Sequence, residues 1–309
     1  MRYKLKHVNA DGTSIAMIPE YLCGLPNLGH SCWWNCVVHL LLHSATFHHI
    51  LDTFEAPPST LHYNLQQLRQ SIKDKDPTAI EKHHRCFRFV CQLHPTFQQS
   101  SLNDAHEVLT YVINTLHDES RHTIPQHLLV AMPTDKATRA IFRDYQNSVS
   151  NVLKHLITCI EETRGDGSTH VATYTHLFIE PKVVETAAGV PRASFQAALD
   201  DMNIVYKPSV LFLTMIHDRQ SQANISGDLK IGGVEYKCIG MTLFIPHVAH
   251  YVAVFRNVGA LKDCPVPVEE QKNMWLLIDD ERVSFVSSQD LARLNLTPTV
   301  IMYEKSNVA

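Results

Sequence analysis

The clearest chemical signal in the chain is the run Gly24-Leu25-Pro26-Asn27-Leu28-Gly29-His30-Ser31-Cys32-Trp33-Trp34-Asn35, where a glycine-containing loop delivers a cysteine to the start of an apolar segment. A helix N-terminus offers unpaired N–H groups and a partial positive charge, and both favour the thiolate, the form in which sulfur attacks. A small buried residue capping a helix would occupy the same place for packing alone. Nucleophilic sulfur chemistry therefore asks for more: a base beside the thiol, a group that orients the base, and donors for the oxyanion of a tetrahedral intermediate.

Those residue types recur late in the chain. Ala249-His250-Tyr251-Val252-Ala253-Val254 sets a histidine at the start of a predicted strand, and Trp275-Leu276-Leu277-Ile278-Asp279-Asp280 ends the next one in two carboxylates. If these strands pair antiparallel, the end of one lies beside the start of the other, and Asp279 can reach the second nitrogen of His250. His247 is the rival base, but it follows Pro246 in a predicted loop, where a solvated histidine is the ordinary expectation.

The elements that must position these groups fall into two halves. Apolar residues at helical spacing predict helices over Cys32 to His43, Leu61 to Ile72, Ile80 to Leu93, Asn103 or Asp104 to His117, and Lys136 to Ile160. After the turn Arg164-Gly165-Asp166-Gly167 the pattern alternates and becomes β-branched. Strands are predicted over His170 to Ile179, Pro208 to Ile216, Val234 to Ile245, His250 to Arg256, Met274 to Ile278 and Val300 to Tyr303, with one helix at Ser194 to Asp201. Helices first and mostly antiparallel strands afterwards is an α+β order. No internal repeat is evident.

Composition narrows the class. With 309 residues, 45% hydrophobic and 19% charged, the chain can bury a substantial core, and 11 Gly and 15 Pro exclude collagen-like or low-complexity sequence. The formal charge of −4 provides no global positive field, so neither nucleic acid nor an anionic membrane is an expected partner. The longest apolar run, Val37 to Leu42, is far short of a bilayer span, and Met1 to Lys6 carries charge but no signal-peptide centre. Eight cysteines without a repeating framework predict free thiols in a reducing compartment, cytoplasmic or nuclear.

The cysteine segment resembles the Cys box of the ubiquitin-specific proteases, papain-like cysteine hydrolases that remove ubiquitin from proteins. That box reads approximately Gly-Leu-x-Asn-Leu-Gly-Asn-Thr-Cys-Tyr-Met-Asn, and Gly24 to Asn35 keeps its frame. His30-Ser31 replace Asn-Thr, and Trp33-Trp34 replace Tyr-Met. Ala249-His250-Tyr251 resembles the His box Gly-His-Tyr, and Trp275 to Asp280 resembles Trp-x-x-Phe-Asp-Asp. Leu102-Asn103-Asp104-Ala105-His106-Glu107-Val108 resembles Gln-Gln-Asp-Ala-His-Glu-Phe. A weaker echo, Lys207 to Leu213, lacks the Lys-Arg-Phe that normally follows; Thr214-Met215-Ile216-His217 stands there instead.

The resemblance implies Cys32 as nucleophile, His250 as base, Asp279 as its orienting partner and Asn27 as an oxyanion donor. It also implies Asp104, Glu107, Tyr251 and Asp280 as residues that contact the substrate. A ubiquitin tail carries arginines before its terminal Gly-Gly, so carboxylates along a channel suit it; two acids in the first turn of a helix are equally what its dipole favours. The implied fold is a papain-like α+β domain: an N-terminal extension (1–23), a helical thumb (24–163) and an antiparallel β-rich palm with shortened fingers (164–309).

Many family members carry a zinc ribbon built from two Cys-x-x-Cys pairs. Here Thr158-Cys159-Ile160-Glu161-Glu162 keeps one cysteine and no second pair appears before Pro208, so no structural zinc and no cofactor are expected. Cys86 and Cys91, near His83 and His84, match no zinc spacing and read as a buried helix, and His106-Glu107 lacks the second histidine of a metalloprotease helix. The leading expectation is a deubiquitinase that passes through a thioester. The alternatives are a protease for a ubiquitin-like modifier, of the SUMO or interferon-induced type, and a catalytically inactive module that binds ubiquitin or a scaffold partner.

Overall fold

The computed structural model describes residues 23–94, 96–97, 102–123, 135–185, 191–215, 227–256, 268–271, 273–294 and 296–306. The expectations for the N-terminal extension before residue 23, for Ile216-His217 and for Cys264 lie outside the described residues. The chain opens with α1 (Cys32–Leu42), α2 (Ala45–Asp52), α3 (Leu61–Lys73), α4 (Ala79–Leu93) and α5 (Ala105–Ser120). Next come β1 (His122–Thr123), α6 (Lys136–Asp144), β2 (Ser148–Val149), α7 (Asn151–Leu156), β3 (Thr158–Thr163), β4 (Thr169–Tyr174), β5 (Leu177–Ile179), β6 (Lys182–Glu185), β7 (Pro191–Ser194), α8 (Phe195–Leu199) and β8 (Ile204–Tyr206). The remainder is β9 (Val210–Met215), β10 (Leu229–Ile231), β11 (Val234–Ile245), β12 (His250–Phe255), α9 (Val268–Gln271), β13 (Met274–Asp279), β14 (Arg282–Ser287), α10 (Ser288–Arg293) and β15 (Thr297–Lys305).

The α+β order expected from the pattern is the order found. A sheet with strand order β14-β13-β12-β11-β15-β9-β5, with β10 paired onto β11, forms the second half, and all its pairs are antiparallel except β5 with β9. Alternation explains its two faces. Tyr251, Ala253 and Phe255 of β12, with Val300 and Met302 of β15, pack into the core shared with the helices. Val252, Val254, Ile301 and Tyr303 fill a second cluster on the opposite face, with Phe195 and Leu199 of α8. A strand buried on both sides reads as a continuous apolar run, which is how Val210–Met215 looks in sequence.

All eleven residues of α1 are buried, so the helix lies inside the core rather than on it. Trp33 and Trp34, departures from the family pattern, are wholly buried; Trp33 packs 5.6 Å from the Phe87 ring and 5.7 Å from Phe97. Cys86 is buried in α4, as the helical reading of that segment requires.

Two expectations are corrected. Lys136 to Ile160 is not one helix: α6 ends at Asp144, Gln146 and Asn147 turn the chain with φ of 52° and 56°, Ser150 caps the short α7, and Thr158–Thr163 is a strand. The turn decides this, since two successive left-handed residues cannot continue a right-handed helix. His170 to Ile179 is likewise two strands. β4 joins the small sheet β4-β3-β8, and β5 crosses to the edge of the large one.

Candidate active site

Cys32 is the first residue of α1 and is 2% exposed. The preceding Ser31 does not cap the helix with its side chain; its Oγ instead accepts from Leu28 N at 2.7 Å. The partial positive charge of the helix end therefore falls on the residue that carries the thiol. The loop before it is shaped by Asn27, whose Oδ1 accepts from Gly29 N and Ser31 N, both at 3.1 Å, while Gly29 and His30 adopt φ of 87° and 56°.

β11 and β12 are neighbours joined by a 3-10 turn, Pro246–Val248, and Ala249 in the left-handed region, with Ile245 opposite His250. β13 lies on the other side of β12, with Ala253 opposite Ile278. That register brings the start of β12 beside the end of β13, and His250 Nε2 stands 2.7 Å from Asp279 Oδ1. The His250 side chain is also hydrogen-bonded to Cys32. The hydrogen bond to Cys32, with help from Asp279 against partial burial, raises the His250 pKa to about 9. His247 is exposed in the 3-10 turn and takes no part in this pairing.

Asp280 binds the two halves of the site together. Its backbone carbonyl accepts from Leu25 N at 3.0 Å, Oδ1 accepts from Asn35 Nδ2 at 2.7 Å, and Oδ2 accepts from Asn27 Nδ2 at 2.9 Å. The residue holds a φ of 48°, and His250 Nε2 is 3.9 Å from its Oδ2. Asn27 thus spends one amide N–H on Asp280 and keeps a second for another acceptor. Asn35 is 1% exposed and also reaches the Leu25 and Pro26 carbonyls, at 3.2 and 3.3 Å. Sequence reasoning quoted Asn35 within the cysteine run but gave it no role; the signal was its place one turn along the helix from the cysteine, on the same face.

Gly24 completes the junction. A Cβ built there would lie 2.3 Å from the Glu281 carbonyl carbon and 2.4 Å from the Asp280 oxygen, so the loop and the β13–β14 turn meet backbone to backbone.

Asp104 caps α5, accepting from His106 N at 3.3 Å, and its Oδ1 lies 2.8 Å from His106 Nδ1. Glu107 is exposed in the first turn of the helix. Tyr251 is 5% exposed and its hydroxyl meets the Ala105 backbone N–H; burial, with the Asp104 carboxylate nearby, pushes its pKa up. Cys32, His250, Asp279, Asn27, Asp280 and Tyr251 are therefore gathered in one place, and Asp104 and Glu107 stand beside them at the start of α5.

Among the described residues, His250, Asp279 and Asp280 are also the one group whose possible metal ligands lie within 4.8 Å of one another. The arrangement is accounted for by the His250 hydrogen bond and the Asn27 and Asn35 contacts. Cys159 is buried in β3, where burial lifts its thiol to about 12. The seven described cysteines are free thiols, and no described helix is long and apolar enough to cross a membrane.

A family model described as ubiquitin carboxyl-terminal hydrolase matches residues 23–230. The match takes in Asn27, Cys32 and Asp104 and stops before His250 and Asp279. No curated protein matches the chain by sequence. Among solved structures, the SAGA DUB module of Ubp8, Sgf11, Sus1 and Sgf73 bound to monoubiquitin aligns at 14% identity with a TM-score of 0.63, covering 97% of this chain and 72% of that one. The module bound to ubiquitin aldehyde gives 14%, 0.60, 96% and 72%, and an essential yeast splicing factor gives 12%, 0.60, 94% and 70%. At such identities the likeness is one of fold.

Proposed function

The chain belongs to the ubiquitin carboxyl-terminal hydrolase family, and on that premise we propose that it is a thiol-dependent ubiquitinyl hydrolase with Cys32 as nucleophile. The observation that carries the reading is His250, hydrogen-bonded to Cys32 on one side and to Asp279 on the other. With its pKa near 9, the imidazole is a cation at neutral pH, hydrogen-bonded to the Cys32 sulfur. The thiolate attacks the carbonyl carbon of the modifier's C-terminal glycine, and the oxyanion takes hydrogen bonds from the second N–H of Asn27 and the Cys32 backbone N–H. Collapse of the intermediate expels the lysine or N-terminal amine, protonated by His250, and leaves a thioester. His250, now neutral, removes a proton from water as it attacks; the acid is released and the thiolate restored. Asp279 fixes the ring so that one nitrogen always faces sulfur.

In this reading the helices of 24–163 and the strands of 164–309 are the two walls of the cleft. Asp104 and Glu107 flank the incoming tail, the buried Tyr251 supports them from beneath through Ala105, and Asp280 acts on the tail through Asn27. The free thiols suit a reducing compartment, cytoplasm or nucleus. No step calls for a cofactor.

The test is incubation of the protein and its Cys32→Ala variant with ubiquitin, SUMO and interferon-induced modifiers that carry a C-terminal electrophile, followed by mass spectrometry. One covalent adduct on the unaltered protein and none on the variant is expected, with ubiquitin the preferred modifier. A folded protein that binds a modifier yet forms no adduct would instead make the chain a non-catalytic binder.

A further inference from the structure

The formal charge of −4 conceals a local excess of the opposite sign. Arg69, Lys82, Arg85, Lys136 and Arg143 each lie against a carboxylate. Among the described residues, Lys154 of α7, Lys207 between β8 and β9, and Lys305 at the end of β15 are in no ion pair. Lys207 Nζ donates instead to Gly232 O at 3.2 Å, and Lys305 Nζ to Lys207 O at 2.6 Å. His49 and His155 lie among them, ring to ring at 5.7 Å. Burial first, then Lys154, His49 and Lys305, lowers the His155 pKa, and Lys207 adds to burial in lowering that of Lys305. Groups that depress one another in this way share a positive field that an anion would relieve.

The strip borders a cavity of about 420 Å³, a size that holds a bulky side chain or a small ligand. Lys154 forms part of its wall. Ile50, which follows His49, lines it together with Phe54, Ile141, Phe142 and Leu153. Polar groups on the wall are already engaged. Thr53 Oγ1 donates to Ile50 O at 3.0 Å and accepts from Asn151 Nδ2 at 2.9 Å; Ser120 Oγ donates to Leu116 O at 2.6 Å; Ser150 Oγ accepts from Leu153 N at 3.2 Å. An occupant would thus meet apolar surface and, on the Lys154 side, positive charge.

We propose that this cavity and the cationic strip beside it dock an acidic, extended segment of a partner protein, with a bulky apolar residue seated in the cavity and carboxylates laid along Lys154, Lys207 and Lys305. A single anionic head group would need one or two cations; a strip drawn from α7, the β8–β9 connection and β15 suits several charges spaced along a chain. The anchor supplies affinity and register, and the charges speed encounter. The surface is remote from the thiol. β15 begins at Thr297 opposite Phe244, near His250 at the start of β12, and ends at Lys305 opposite Tyr236. The nine residues of β15 put roughly 26 Å between those ends. A partner held here leaves the cleft free, and the proposal does not depend on the hydrolase reading.

The experiment is selection of a random dodecapeptide library, displayed on phage, against the full chain, followed by fluorescence anisotropy of the selected peptide carrying fluorescein. Selected peptides should be rich in Asp and Glu around one Leu, Phe or Trp, and should bind more weakly as salt rises. Lys154→Glu and Lys207→Glu should each lower affinity about tenfold. Ile141→Trp, which fills the cavity, and alanine in place of the apolar anchor should do the same. Should Ile141→Trp fail to fold, the exposed Lys154 still carries the test. Selected peptides without acidic bias, affinities that the lysine variants leave unchanged, or no selected peptide at all overturn the proposal. Tighter binding of a fluorescein-labelled oligothymidylate or of phosphatidylserine vesicles, lost in the same variants, overturns it too and assigns the strip to another polyanion.

Discussion

Asn35 Nδ2 donates to Asp280 Oδ1 over 2.7 Å, across a sequence separation of 245 residues. The bond ties the second turn of the cysteine helix to the turn that follows the Asp279 strand. Asp280 holds Asn27 with its other oxygen, so the relative placement of the Cys32 thiol, the Asn27 amide and the His250 imidazole depends on this carboxylate.

Asp280→Ala and Asn35→Ala are each expected to lower kcat about 100-fold, with KM changed far less, because 1 Å of misplacement in a catalytic constellation costs that much. Both should also lower stability by about 1–3 kcal/mol, since each leaves a polar partner unsatisfied. Chemical denaturation beside steady-state kinetics measures both. In the double variant the losses should fall well short of additive.

Gly24→Ala should open the same junction from the other side. The new methyl group would sit against the Asp280–Glu281 backbone and press apart the 3.0 Å bond from Leu25 N to the Asp280 carbonyl. Overpacking of this kind costs about 1–3 kcal/mol. Loss of covalent labelling at Cys32 in a protein that still folds is the expected result.

In the proposed mechanism, alkaline pH should separate His250 from Cys32. His250 is held up near 9 by Cys32 and then by Asp279, so its folded-state pKa lies above the ordinary 6.5. Its contribution to stability is fully present below about 6.5 and is lost as pH rises through about 9. Activity should follow the same alkaline limb. Asp279→Asn should move that limb to lower pH and reduce kcat by a factor of about 100 or more. A pH–rate profile of kcat/KM for both proteins decides it.

Acid pH should act through different histidines. His39, His43 and His83 are 3%, 7% and 0% exposed, and each keeps a buried ring nitrogen without a hydrogen-bond partner. Burial lowers His43 to about 4 and His83 to about 3, and His39 well below its ordinary value. The unfolded chain takes up protons below 6.5 that the folded one refuses, so this stability is complete above 6.5 and lost as pH falls. At pH 5 the loss is about 2 kcal/mol for each of His43 and His83. His43→Phe, which keeps the stack on Phe255 at 3.8 Å, should flatten the dependence of Tm on pH between 4 and 6.5, read by calorimetry.

Ala249 holds a φ of 50° where the resembling motif has glycine. Ala249→Gly should relieve about 1 kcal/mol and raise Tm by about 2 °C, with His250 left in place.

How far the sequence could be read depends on where the information resides. The place of Cys32 at a helix start was legible because the loop and the helix lie next to each other in the chain, and strand order suggested that Asp279 could reach His250, while the roles of all three came from the resemblance of their motifs. The roles of Asn35, Gly24 and Asp280 were not legible, because each is defined by a contact with a segment about 250 residues away. The single helix expected over Lys136 to Ile160 failed at Gln146-Asn147, where two left-handed residues override an apolar stripe of helical period. β5 was run together with β4 because an alternating pattern carries no mark of the sheet it joins.

The distance along the chain between Cys32 and its partners also orders events during synthesis. A ribosome releases α1 long before it has made β13, and the nascent thiol then has neither imidazole nor Asp280 beside it. Reactivity is conferred only when the last strands dock against a helix already made. In the proposed hydrolase the synthesis of β12 and β13 is thus the step that gives Cys32 its partners, and a product truncated before them would hold the proposed nucleophile without the His250 and Asp279 contacts.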